Sequence, residues 1–254
     1  MPPRSAERWL RCRAPRSAPR LRLVCFPHAG GAASFFGGWF AHAPVDVEVH
    51  AVQYPGREDR IAEAIPGGVD DLVRAVTGEL APLLDRPVVL FGHSMGAVVA
   101  YEVARRLSAE FDAPPRRLVV SARHAPDELV GGGVHLRDDA GLVAEIRRVG
   151  GSGAELLAER PELWPIFLPS IRGDYRIEET YRHRPVPPLD IEVTAIAGAA
   201  DGEVTFEQID RWSEYTSGPF SRHVVLGGHF FPAQCVEQVV ALTLGGLHSL
   251  KETR

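Results

Sequence analysis

The sequence predicts an α/β protein: a mostly parallel central sheet with helices on both faces. Three observations carry this expectation. Short apolar runs alternate with amphipathic helical patterns along most of the 254 residues. One such run breaks through Phe91-Gly92-His93-Ser94-Met95-Gly96 directly into a helical pattern. Two later runs end in loops that carry Asp201 and His229. Alternation of this kind builds a sheet covered on both sides, and its parallel strands bring their carboxyl ends to one edge. A chain of this length, 45% apolar, buries a full core. Residues 1–254 are therefore expected to form a single domain.

In chain order, Trp9-Leu10-Arg11-Cys12-Arg13 is read as an edge strand, whose arginines discourage pairing with another molecule. Leu21 to Phe26 becomes increasingly apolar and then breaks into Pro27-His28-Ala29-Gly30-Gly31. Val47 to Val52 is the next strand, ending at the turn Pro55-Gly56. Val69, Leu72, Val73, Val76, Leu80, Leu83 and Leu84 recur at helical spacing and define one buried face. Pro87 to Phe91 is a continuous apolar run, the pattern of a strand buried on both sides, and Ala97 to Leu107 follows as a helix. Further strands are expected at Arg117 to Ser121, Ile191 to Ala197 and His223 to Leu226, with a helix from Pro232 onward.

The strand–turn–helix context makes Ser94 a candidate nucleophile held on a sharp turn, with Gly92 and Gly96 removing side chains where strand and helix cross. A serine N-cap is the plain structural alternative. Asp201 and His229 follow at later strand ends, in the order Ser, Asp, His that the partners of such a nucleophile take in this architecture. Glu203 is the nearest rival to Asp201. His93 adjoins the nucleophile and is expected to point elsewhere from the turn. The Gly-rich break after Phe26 resembles the His-Gly-Gly-Gly loop of lipases and esterases. Its small residues let the backbone N–H of Ala29 join that of Met95 around one developing oxyanion.

Composition removes other classes. Lys251 is the only lysine, so neither a Walker loop nor a Schiff-base mechanism has its residue. Cys12, Cys25 and Cys235 form no Cys-x-x-Cys pair, which argues against a zinc site or disulfide frame and suits a reducing, cytoplasmic setting. No apolar run approaches a membrane span, and there is no signal-peptide core. The first 22 residues, from Arg4 to Arg22, carry a local charge of +6 against −5 for the whole chain. A transit peptide or nucleic-acid arm also fits such a start, but the edge strand is preferred, and no nucleic-acid, membrane, metal or cofactor partner is expected.

One stretch breaks the alternation. About seventy residues between Ser121 and Ile191 show helical patterns and no good strand. Leu142, Val143, Ile146 and Val149 mark one helix. Trp164, Ile166, Phe167, Leu168, Ile171, Tyr175 and Ile177 mark a longer one, with Gly131-Gly132-Gly133 and Gly150-Gly151-Ser152-Gly153 as hinges. The segment from about 126 to 185 is expected to be a helical lid over the strand ends, walling an acyl pocket. A packed helical excursion that never moves is the alternative.

Leu23 to Gly31, Tyr54-Pro55-Gly56-Arg57, Phe91 to Ala97 and Gly227-Gly228-His229-Phe230-Phe231 together resemble the type II thioesterases of polyketide and nonribosomal peptide pathways, over nearly the whole chain. The resemblance implies an α/β-hydrolase fold and release of acyl groups from the phosphopantetheine arm of an acyl or peptidyl carrier protein. It also implies Ser94, Asp201 and His229 as the triad, with Ala29 and Met95 as oxyanion donors. The chain departs from the family pattern at Gly202-Glu203, where a proline is common. A carboxylesterase or lipase acting on oxygen esters, acyl transfer to an alcohol or amine, and a non-catalytic carrier-binding module are the other functions considered. Arg147, Arg148, Arg172 and Arg176 are the candidate cations for docking an acidic carrier.

Overall fold

The computed structural model describes residues 6–128, 131–151 and 153–247; Arg4, Ser152 and Lys251 lie outside the described residues. Seven strands form one sheet: β1 (Leu10–Arg11), β2 (Leu21–Phe26), β3 (Val47–Val52), β4 (Val88–His93), β5 (Arg117–Ser121), β6 (Glu192–Gly198) and β7 (Phe220–Val225). Their order is β1-β3-β2-β4-β5-β6-β7. Every neighbouring pair is parallel except β1 with β3. The helices are α1 (Ala6–Trp9), α2 (Trp39–His42), α3 (Val69–Leu80), α4 (Met95–Glu110), α5 (Asp139–Val149), α6 (Ala154–Glu159), α7 (Trp164–Thr180), α8 (Phe206–Asp210), α9 (Phe231–Gln234) and α10 (Val236–Leu244).

All six residues of β2, β3 and β4 are buried, as continuous apolar runs between two helical layers require. One core packs α3 and α4 against the face carrying Val24, Phe26 and Leu90. The other packs Trp39 of α2 and Val239 and Val240 of α10 against the face carrying Leu23, Cys25 and Phe91. The alternation of side chains along each strand feeds both cores at once. Of the expected edge strand, Leu10 and Arg11 form β1, with the Trp9 carbonyl accepting from the Gln53 N–H at 2.8 Å beside it, and β7 spans Phe220–Val225, earlier than expected.

Between β5 and β6 the chain leaves the sheet for α5, α6 and α7, where α6 is a helix the residue pattern did not reveal. Asp138 caps α5 by accepting from the Gly141 N–H at 2.8 Å, and Arg147 and Arg148 sit in its last turn, where the helix dipole favours cations. Leu142, Val143, Leu157, Leu168 and Ile171 form a small third core of their own. Only the far end of α7, at Ile177, together with Tyr181 just beyond it, reaches the main core. Among the described residues, no helix is long and apolar enough to cross a membrane.

Candidate active site

Ser94 stands between β4 and α4 with φ 54° and ψ −122°, backbone angles that cost energy for any side chain and persist only when the surroundings enforce them. The surroundings here are backbone on backbone. A Cβ at Gly92 would lie 2.3 Å from the Gly96 carbonyl oxygen, and one at Gly96 would lie 2.2 Å from the Phe26 carbonyl oxygen. Ser94 N–H donates to the Ser121 carbonyl at 2.9 Å, and the Ser94 carbonyl accepts from Ala97 N–H at 2.9 Å. The serine is thus forced into its turn by a crossing that only glycine permits.

Asp201 and His229 reach the same edge from β6 and β7. The acid loop is fixed by Ala199 N–H donating to the Val225 carbonyl at 2.8 Å and by Ala200 N–H donating to the Gly227 carbonyl at 2.9 Å. Glycine is needed where the loops cross, because a Cβ at Gly198 would lie 2.7 Å from the Gly228 carbonyl oxygen. His229 Nδ1 lies 3.1 Å from Asp201 Oδ2 and 3.2 Å from Oδ1. The Asp201 side chain is fully buried. With Nδ1–H donating to the carboxylate, Nε2 is left as the basic nitrogen. Glu203 is not the partner: its N–H donates to Asp201 Oδ1 at 2.9 Å, while its carboxylate receives Arg148 at 2.8 and 2.9 Å.

Ser94, His229, Ala29, Arg123, His124 and Glu178 line one cavity of about 200 Å³. It adjoins a more apolar cavity of about 320 Å³ walled by Ile146, Leu157, Phe167 and Ile171, and both share His28, Ala29, Val149, Tyr175 and Phe230. The structure brings Asp201 and His229 into contact and places Ser94 in the same cavity wall, without a hydrogen bond between the Ser94 hydroxyl and the imidazole. Catalytic contacts of this kind often tighten only with substrate. Neither the Ala29 nor the Met95 N–H has a partner within the described residues.

His93 corrects an expectation. Its ring does not turn away from the site but packs 5.2 Å from that of His229, with His28 a further 5.7 Å from His93. Burial, then the neighbouring His229, holds His93 well below the usual imidazole range and His28 down at about 3. Both lie beside the His229 imidazole as neutral rings. His124 is lowered to about 4 by burial and by Arg123. The four docking arginines also have partners already. Arg147 pairs with Glu155, Arg148 with Glu145 and Glu203, Arg172 with Asp139, and Arg176 with the Pro66 carbonyl.

Cys12, Glu48 and His50 are the one group of three metal-type donors among the described residues, within 4.8 Å of one another. Glu48 there already accepts from Arg22 Nε at 3.0 Å and from the Arg16 N–H at 2.9 Å, so the positive charge it faces is supplied by protein.

A strained serine at a strand–helix turn, with an Asp–His pair at the carboxyl edge of a mostly parallel sheet, defines an α/β-hydrolase. The family model of the thioesterase domain matches residues 21–244, and the chain belongs to that family, whose members hydrolyse thioester bonds. It is 43% identical over 244 residues to a probable cadicidin biosynthesis thioesterase of Streptomyces griseus, covering 96% of this chain and 67% of that one. It is 40% identical to the thioesterase PikA5 of Streptomyces venezuelae, covering 88% and 79%. The solved type II thioesterase BorB of the borrelidin cluster superposes with a TM-score of 0.83 at 40% identity, covering 93% and 94%. YbtT, a type II thioesterase of the yersiniabactin pathway, gives 0.84 at 32% identity, covering 93% and 96%.

Proposed function

We propose that this chain hydrolyses acyl thioesters carried on the phosphopantetheine arm of an acyl or peptidyl carrier protein, with Ser94, His229 and Asp201 as the catalytic triad. The observation that carries the reading is His229, backed by the buried Asp201 carboxylate, in one cavity wall with a serine at φ 54°. His229 Nε2 takes the Ser94 proton as Oγ attacks the thioester carbonyl, and the N–H groups of Ala29 and Met95 receive the oxyanion. The tetrahedral adduct then breaks its C–S bond and the pantetheine thiol departs. That thiol, with a pKa of about 8.5, needs less help from the acid than an alcohol would. Water, deprotonated by the same imidazole, attacks the acyl-enzyme and frees the carboxylic acid and Ser94. Asp201 fixes the tautomer and stabilises the imidazolium throughout.

In this reading the chain works as one domain, residues 126–185 act as its lid, and the apolar cavity under α5–α7 takes the acyl group. Ser94→Ala should abolish turnover of an acyl-pantetheine thioester while leaving the melting temperature within a few degrees of the parent. Full turnover by the purified variant would remove Ser94 from the chemistry. Matched acyl thioesters and oxygen esters separate this reading from an esterase, and product analysis with added acceptors separates hydrolysis from acyl transfer.

A further inference from the structure

The loop that carries the Ala29 N–H is held from outside by three side chains from other parts of the fold. Asp174 Oδ2 accepts from the Gly30 N–H at 2.7 Å. Arg57 Nη1 donates to the Gly31 carbonyl at 2.9 Å. Gln53 Oε1 accepts from the Ala33 N–H at 2.7 Å, while the Gln53 amide donates to the Arg57 carbonyl at 3.3 Å. Arg57 and Asp174 are themselves joined as a two-pronged pair, Nη2 to Oδ1 at 2.8 Å and Nη1 to Oδ2 at 2.5 Å. Both are buried, Asp174 to 1% exposure. The Arg57 guanidinium also lies 5.4 Å from the centre of the Tyr54 ring, which fixes its plane.

A buried ion pair is a poor source of net stability, because desolvating two charges consumes most of what their attraction returns. Packed apolar residues would serve the fold at least as well. What this pair does that apolar residues cannot is hold two peptide groups on either side of the Gly30–Gly31 link, the Ala29–Gly30 peptide through its N–H and the Gly31–Ala32 peptide through its carbonyl, in one orientation. The first of these adjoins the His28–Ala29 peptide that carries the Ala29 N–H, and Gly30 takes φ +76°, a conformation with little intrinsic preference to restrain it. The Ala29 N–H itself remains unpartnered.

We infer that Arg57 and Asp174 are positioning residues for the oxyanion hole, acting through Gly30 and Gly31 to aim the Ala29 N–H at the substrate oxygen. This rests on the serine-hydrolase reading above and adds that α7, which supplies Asp174, is part of the catalytic apparatus as well as a wall of the pocket. Neither side chain touches the reacting atoms. Their removal should therefore weaken binding of the transition state and spare that of the substrate.

The test uses Asp174→Asn in the full chain, with a short acyl-pantetheine thioester as substrate. A reactive phosphonate, whose adduct on Ser94 is tetrahedral, serves as a second probe. The expected result is a kcat roughly 10- to 100-fold lower, the effect of a misplaced oxyanion donor, with KM within about threefold of the parent. Phosphonylation should slow by a similar factor, and binding of an unreactive thioether analogue should be unchanged. A kcat equal to the parent's together with a lower melting temperature would overturn the inference and make the pair purely structural. So would a rise in KM at constant kcat. Should Asp174→Asn fail to fold, Arg57→Lys keeps the charge and gives up the fork, and the same split between kcat and KM decides the matter. Ser94→Ala in parallel separates the two readings: turnover surviving in that variant defeats the triad, whereas a dead Ser94→Ala beside a fully active Asp174→Asn defeats only the positioning role.

Discussion

The elbow and the helical excursion between β5 and β6 are built by opposite means. At the elbow, backbone meets backbone: Gly92 and Gly96 bring β4, α4 and the end of β2 into contact closer than any side chain allows. The excursion has its own small core, and polar contacts fasten much of it to the rest: Arg148 to Glu203, Arg123 to Glu178, Arg176 to the Pro66 carbonyl, and Asp174 to Arg57. Close-packed backbone has one arrangement, whereas the exposed contacts of Arg148 and Arg176 exchange with water at little cost, and of these four arginines only Arg57 and Arg123 are buried. Ser94 is thus set where backbone packs on backbone, and much of the wall of the apolar cavity is set on an excursion with a small core of its own.

The sharpest way to break this contrast is a methyl group. Gly96→Ala should cost more than about 4 kcal/mol, or prevent folding altogether, because its Cβ has only the Phe26 and Pro27 carbonyls to displace. Gly153→Ala, at φ +93° but with nothing within 4 Å, should cost about 1–2 kcal/mol of backbone strain. Equal losses in denaturant unfolding would show that the two regions are not packed differently.

Acid probes the elbow side at intermediate magnitude. His93 and His28 are neutral in the fold, with pKa values depressed chiefly by burial, and each regains a proton on unfolding below about pH 6.5. The unfolded state then binds more protons, so stability is complete above that pH and falls as pH drops toward the folded-state values. The slope is up to about 1.4 kcal/mol per pH unit for each histidine. Melting curves from pH 7 to pH 5 should show this decline, and His93→Asn should flatten it. An unchanged slope would remove His93 from the account.

The smallest effect belongs to the excursion. Arg148→Ala should change global stability by no more than about 1 kcal/mol, as exposed pairs do. It should nonetheless speed hydrogen exchange across α5 while leaving α4 unchanged. A uniform change in both would show that the excursion and the elbow open together.

Much of the sheet was legible because burial on both faces writes itself as unbroken apolar runs, as in β2 and β4. The elbow was legible because its glycines are required by sterics that operate within a few residues. The meeting of Asp201 with His229, and of His229 with Ser94 in one cavity wall, could be anticipated because strand ends converge on one edge. Asp174 was not found, although it left a trace: a carboxylate on the face shared by Leu168, Ile171 and Ile177, where an apolar residue is the rule. Its meaning depends on Arg57, more than a hundred residues away, and no local pattern states such a pairing. The direction of the His93 ring was missed for a similar reason, since a tight turn in sequence does not reveal which neighbours close around it. The short α6 lacks the length for a periodicity to show.

Gly96 touches the carbonyls of both Phe26 and Pro27, so the start of α4 and the loop beyond β2 share a single fulcrum. A substitution that shifts either segment is therefore expected to shift the other, and with it both the Met95 and the Ala29 amides.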